Sequence, residues 1–177
     1  QFHEGLIVFT GCPSGAVQTR LRLGQWDEAV AEAAELRDIF GAENFYVEVM
    51  DHGIDIERRT HRQVLEIAKL MNAPLVATND AHYVKRDDRK IQDALLCINS
   101  GSRINDPDRF KFDGDGYYIR SSDEMRSLWS ELPSACDSTL EIAERCDVHF
   151  TTTKEGANYM PDFPVPEGED KTSWFIK

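Results

Sequence analysis

The 177-residue chain has only four cysteines, Cys12, Cys97, Cys136 and Cys146, and no two of them form a C-x-x-C pair. In a chain without a signal peptide this spacing argues for reduced thiols rather than a disulfide framework, with one available to a metal. Long apolar runs are also missing. The longest fall far short of a membrane span, and Gln1-Phe2-His3-Glu4-Gly5 has neither a basic n-region nor an h-region. No membrane partner is expected, and the chain reads as cytoplasmic. Positive charge is scarce: 20 Lys and Arg stand against 32 Asp and Glu, a net charge of −12. Such a surface does not by itself grip a phosphate backbone, since non-specific nucleic-acid binding comes from clustered Lys and Arg. A nucleic-acid enzyme is still compatible with it, because metal sites that process phosphoesters need carboxylates and a basic groove can lie elsewhere in a larger protein. There is no internal repeat and no low-complexity tract. There is no initiating Met, and the chain stops inside the helix-like Trp174-Phe175-Ile176-Lys177, so it is expected to be cut from something longer.

What is present is ordinary for a globular domain: 41% hydrophobic and 29% charged residues, enough for one sizeable core. Strand-like and helix-like stretches alternate. Leu6–Thr10 reads as a strand, and Trp26, Val30, Ala33 and Phe40 recur at helical spacing before a C-capping Gly41. Phe45–Met50 is a strand by its aromatic and β-branched content. A helix over about Ile56–Met71 carries Val64, Ile67, Ala68 and Met71 on one face and closes at Asn72. The apolar Leu75-Val76-Ala77 then reads as a fully buried strand. This βαβαβ order predicts parallel pairing in an α/β barrel or a doubly wound sheet. Further on, Asp87 is expected to cap a helix with Ile91, Ala94, Leu95 and Ile98 as its buried face, ending at Gly101. Arg103–Gly116 reads as a loop and Tyr117–Ile119 as a short strand. Ser121 and Glu124 form a capping box, and Pro133 starts a helix to about Cys146. Thr151–Asp170, with its Pro-punctuated Met160–Pro166, is an extended connector, so a boundary is placed at 148/149.

The pair best placed for chemistry is Asp80-Ala81-His82, which projects a carboxylate and an imidazole from the carboxyl end of a buried strand. In α/β folds that edge is where sites are built. Leu6–Thr10 ends the same way, in Gly11-Cys12-Pro13-Ser14-Gly15, which adds a thiol. Carboxylate, imidazole and thiolate together make a zinc-type ligand set. Each also has a plainer reading: Cys12 as a small buried hydrophobe, Asp80 as a turn cap, His82 as a loop histidine beside Tyr83. Glu48 and His52 are weaker candidates, Glu48 as an inward-facing carboxylate and His52 as a loop residue at another strand end. Cys97, Cys136 and Cys146 lie on helices and read as core, and His61 as packing or surface. Two motifs fail. Asp113–Glu124 starts like an EF-hand loop but has Tyr118 where the turn needs Gly, and Gly11–Gly15 has Cys12 where the G-x-S-x-G of a nucleophile elbow requires Gly.

Taken together, Phe9–Gly15, Phe45–Gly53 and Val76–Tyr83 resemble the second half of the polymerase-and-histidinol-phosphatase (PHP) domain of the bacterial replicative DNA polymerase III alpha subunits. Tyr117–Met125, Leu140–Cys146 and Met160–Pro166 resemble the run from that domain into the start of the palm. The resemblance spans nearly the whole chain and rests on the order and spacing of several blocks.

The resemblance implies an α/β fold, the second half only of an incomplete, TIM-like (β/α)7 PHP barrel over residues 1–148, followed by a helical segment and an extended connector into the palm over 149–177. It implies a divalent metal cluster, zinc or manganese, with Cys12, Asp80 and His82 as ligands, and a 3′–5′ proofreading exonuclease in the intact protein. The family's amino-terminal H-x-H and the following ligands are not in this sequence, so residues 1–177 alone are expected to bind metal weakly and to be inactive. The polymerase carboxylates, with their magnesium, are expected beyond Lys177, as are contacts with primer-template DNA and with replisome subunits such as the sliding clamp. Two alternatives remain: a stand-alone metal-dependent phosphoesterase acting on a small phosphate ester, and a non-catalytic PHP scaffold.

Overall fold

Phe45–Val49 (β2) is the centre of the sheet, and all five of its residues are buried. In the computed structural model, which describes residues 2–152, 156, 160, 161 and 163–176, it pairs in parallel on one side with Val8–Phe9 (β1) and on the other with Leu75–Ala77 (β3). The register sets Phe9 against Tyr46 and Glu48 against Val76. Alternation along β2 therefore divides its side chains: Phe45, Val47 and Val49 join the main hydrophobic core, and Tyr46 and Glu48 occupy the opposite face. The first strand is shorter than the Leu6–Thr10 expected: Leu6 is exposed, and the paired register covers Val8 and Phe9, with Thr10 N–H adding one bond to Tyr46 O at 3.2 Å.

Helices connect the parallel strands, as the strand spacing requires. Ala16–Arg22 (α1) packs on Trp26–Phe40 (α2), where Ala29 and Ala33 are fully buried and let the two helices approach closely. The sequence pattern does not predict a helix at α1. Its seven residues hold only one apolar i, i+4 pair, Val17 and Leu21, and its N-cap is Gly15, with no side-chain cap. Asp55–Met71 (α3) buries Glu57, Thr60, Val64, Ile67 and Met71 at alternating three- and four-residue spacing. Ile67 is wholly removed from solvent, which is worth about 1.5–3 kcal/mol. The helix closes at Asn72, in the left-handed region at φ 50°, with Ala73 N–H donating back to Ala68.

After β3 come Arg89–Ser100 (α4), Ser122–Leu128 (α5) and Pro133–Arg145 (α6). The capping box at Ser121 and Glu124 is present in both directions, at 2.8 and 3.2 Å. α6 packs on β3, and its Glu141 and Arg145 hold the Tyr46 hydroxyl at 3.1 and 2.9 Å. Three expectations are corrected here. The cap before α4 is not Asp87: a 3₁₀ turn over Arg86–Asp88 precedes the helix, and the Asp88 carboxylate accepts from Lys85 N–H. The expected apolar face of α4 is exposed at Ile91, Leu95 and Ile98, and only Cys97 is buried. Tyr117–Ile119 is a single bridge, Tyr118 to Tyr83, rather than a strand. Cys97 and Cys136 are buried as expected, whereas Cys146 is exposed.

The chain divides into two compact units, Gln1–Arg145 and Cys146–Lys177. In the second, Lys171–Ile176 (α7) is capped by Asp170, whose carboxylate accepts from Ser173 N–H at 2.7 Å. Residues 153–155, 157–159 and 162 of the expected connector lie outside the described residues. Among the described residues no helix is long and apolar enough to cross a membrane.

Candidate metal centre

Because the three strands are parallel, their carboxyl ends share one edge, and the loops that follow carry Cys12, His52 and Asp80 out of it. The loop after β1 is tightly turned. Gly15 N–H donates to Cys12 O at 2.7 Å, and a Cβ on Gly15 would lie 3.0 Å from Thr10 O and 3.1 Å from Cys12 O, so the turn needs glycine there. The buried Gln18 pins it from α1, donating to Gly11 O at 3.1 Å while its own carbonyl accepts from Thr60 of α3 at 3.3 Å. Cys12 is half-buried.

Glu48 stands beneath this edge, 7% exposed. Its carboxylate accepts from the Thr78 hydroxyl at 2.6 Å. Burial raises the Glu48 pKa and the negative charge of Asp80 adds to that, while the bonds from Thr78 and the Gly11 backbone only partly oppose it. Two carboxylates thus bear on one region, a field that favours a cation.

The two histidines at this edge are held differently. His52 is sealed: its Nδ1 lies 2.6 Å from Glu57 Oε1 and its Nε2 3.0 Å from Asn79 O, its backbone N–H donates to Glu57 Oε2 at 2.7 Å, and its ring stacks on Tyr117 with centroids 4.0 Å apart. Both ring nitrogens face acceptors, so only the imidazolium satisfies both. Burial lowers its pKa, but the bonds to Glu57 and Asn79 and the charges of Glu57 and Asp80 outweigh it and leave the value raised. With both nitrogens engaged, His52 has no lone pair for a metal, and the weaker candidacy drawn from its strand-end position is not matched by its surroundings.

His82 keeps one nitrogen open. Its Nδ1 donates to Asp80 O at 2.6 Å, which in the neutral ring leaves Nε2 as the unprotonated atom, and no hydrogen bond engages that atom among the described residues. A backbone acceptor on Nδ1 with a bare Nε2 is the arrangement that orients a ligating histidine. Asp80 itself sits at φ 41°, a left-handed conformation that is rare outside glycine and that clusters at functional sites. Asn79 locks the loop from below, donating to Gly116 O at 2.8 Å and Tyr118 O at 2.6 Å, while His82 N–H donates to Tyr117 O at 2.8 Å. Gly116 is required by the close approach: a Cβ there would meet His52 Cδ2 at 3.3 Å. Asn79 Oδ1 is buried without a partner, a polar atom left open at the same edge. Burial, with Glu57 and Asp80 adding to it, pushes the Tyr117 phenol up to about 12.

The donor chemistry therefore suits a divalent ion at Asp80 and His82, with Glu48 behind them. Among the described residues, no three His, Cys, Asp or Glu side chains come together as a metal-holding group, so Cys12, Asp80 and His82 share an edge without closing around one point. Glu57, Thr60, Gln18, Asn79 and Tyr117 were not singled out from the sequence. For Glu57 and Thr60 the signal was available, since both continue the buried face of α3 through Val64, Ile67 and Met71.

Comparison with known proteins gives two results. Residues 1–52 match the model of the PHP domain. The chain is 54% identical over 172 residues, 97% of its length, to the DNA polymerase III subunit alpha of Mycobacterium tuberculosis (strain CDC 1551 / Oshkosh). It is 56% identical over 148 residues, 83% of its length, to that of Saccharopolyspora erythraea, and 32% identical over 176 residues, 97% of its length, to that of Thermus aquaticus. It spans 14%, 12% and 14% of the length of these three relatives, respectively.

Proposed function

The chain is homologous to the DNA polymerase III alpha subunits and carries PHP-domain sequence in residues 1–52, and on that premise we propose that it supplies ligands to a metal-dependent 3′–5′ exonuclease site within a bacterial DNA-directed DNA polymerase. In this reading residues 1–148 are the second half of a (β/α)7 barrel and 149–177 lead into the palm. The remaining ligands, the magnesium-dependent polymerase site, the primer-template contacts and the docking of other replisome subunits all lie outside residues 1–177.

The observation that carries the reading is the open Nε2 of His82 beside Asp80, on the edge shared with Cys12. Cys12, Asp80 and His82 would hold zinc or manganese, which when bound activates water and neutralises charge developing on a phosphodiester under attack. The chain's own residues do the orienting. Asp80 O fixes the His82 tautomer, Thr78 and Gly11 hold the Glu48 carboxylate, and the paired negative charges of Glu48 and Asp80 keep the edge attractive to cations. With no three ligands gathered among the described residues, residues 1–177 alone are inactive in this reading.

The test is made on the intact alpha subunit that carries these residues. His82→Ala should weaken metal retention by about a hundredfold or more, since even residues that only support ligands are worth 10- to 100-fold. It should also abolish hydrolysis of a mispaired 3′ end while nucleotide incorporation continues. A variant that keeps its full metal content and still removes the mismatch ends this proposal and favours a scaffold role.

A further inference from the structure

Three rings, Tyr117, Phe112 and Phe110, form a chain beside His82 and grade from buried to exposed. Tyr117 is buried and stacked on His52; half-buried Phe112 leans on Tyr117, with centroids 4.8 Å apart, and on His82, at 4.4 Å; Phe110 stands edge-on to Phe112 at 5.4 Å and is 64% exposed. The array starts in the core and ends in solvent, in contact with the proposed ligand His82 on the way.

Phe110 is exposed but firmly mounted. Its neighbour Arg109, whose side chain is only 8% exposed, pairs with Asp93 of α4 through both carboxylate oxygens, one of them at 2.7 Å, and donates to Ile104 O at 3.0 Å. A large aromatic surface held in water by a fixed backbone is poised for a partner. In the order Phe110-Lys111-Phe112 the two phenyl rings contact each other edge to face, and Lys111 is near enough to Asp93 for its charge to favour the carboxylate. Flat apolar rings beside a phosphoesterase edge match the face of an unpaired nucleobase, and base–aromatic stacking is worth about 1–3 kcal/mol per base with little regard to sequence.

We propose that Phe110 and Phe112 form a stacking ledge for the terminal unpaired base of a single-stranded DNA 3′ end, positioning its last phosphodiester at Asp80 and His82. The inference rests on the reading of this edge as a DNA phosphoesterase site and adds how the substrate is held. It also gives a physical reason for acting on frayed ends: a paired base is already stacked in its duplex and has no free face to offer.

The experiment uses the intact alpha subunit and a single-stranded oligonucleotide whose 3′-terminal base is 2-aminopurine, joined through a phosphorothioate linkage that resists hydrolysis. Fluorescence quenching on binding is compared with displacement by the same strand ending in an abasic residue. Wild-type protein should quench the probe and bind the base-terminated strand about tenfold more tightly than the abasic one. Phe110→Ala should remove that preference without changing affinity for the abasic strand, and Phe110→Tyr should restore it. Equal affinity of wild type for the two strands, or an equal loss for both in Phe110→Ala, overturns the ledge. Hydrolysis of an ordinary mispaired end is measured separately. Cleavage without a base preference leaves the phosphoesterase reading standing and removes the ledge, and a base preference without cleavage does the reverse.

Discussion

At the end of β2 an imidazole with 1% of its side chain exposed lies between a carboxylate and a carbonyl; at the end of β3 a second imidazole keeps 31% exposure and a single backbone acceptor. Both follow buried parallel strands and both lie within two residues of an aspartate, Asp51 in one case and Asp80 in the other. The number of acceptors aimed at each ring separates them. Two acceptors make His52 a brace between α3 and the loop after β3 and favour its protonated form. One acceptor engages only Nδ1 of His82 and leaves its Nε2 without a hydrogen bond among the described residues. Strand-end position creates the opportunity for ligation, and the neighbouring loops decide whether it is used.

The strongest way to break this contrast is to remove the carboxylate under His52. Glu57→Ala removes the acceptor of both the His52 backbone N–H and its ring Nδ1, and leaving buried donors unsatisfied costs about 1–3 kcal/mol each. Asp80→Ala, at a side chain 35% exposed, should cost less than about 1 kcal/mol. Urea unfolding of the two variants measures the difference, and coincident midpoints would erase the distinction between brace and ligand.

A pH scan sharpens the comparison from the other side. The folded His52 holds its proton more tightly than the ordinary imidazole value of about 6.5. Its stabilising contribution is therefore complete below that pH and is lost as pH rises through the raised folded value. Glu48, also raised in the fold, gives a slope of the same sign, so His52→Gln is the control that isolates the imidazole. Melting temperature should fall across neutral pH in the wild type and stay flatter in His52→Gln. Parallel profiles in the two proteins would mean that the ring is not charged.

The smallest effect concerns Asp80 itself. At φ 41° a side chain is strained, so Asp80→Gly should stabilise the fold by up to about 1 kcal/mol while deleting a proposed ligand. Denaturant titration reads the gain. A loss of stability would show that the carboxylate's own contacts outweigh the strain.

Much of the framework was legible because it depends on local chemistry. The Ser121–Glu124 box, the Asn72 closure and the Pro133 start are set by residues within one turn of each other. The aromatic and β-branched content of Phe45–Met50 marked a strand, while its full burial and its place at the centre of the sheet came from the fold. The face of α4 misled for the same reason in reverse: periodicity at Ile91, Leu95 and Ile98 identifies a helix with one apolar side but not what lies against that side. Helix α1 was too short for its single apolar pair to register.

The sequence by itself determined the βαβαβ order, and with it the delivery of Cys12, His52 and Asp80 to one edge, because parallel strands joined by helices must end on the same side. Only the tertiary structure decided which histidine was closed and which open. The Glu57 carboxylate reaches back five residues to His52 and the Asn79 carbonyl reaches across twenty-seven, whereas His82 is satisfied by a carbonyl only two residues away. A ring's protonation and its free lone pair depend on acceptors brought near by folding, and no spacing along the chain specifies their distance.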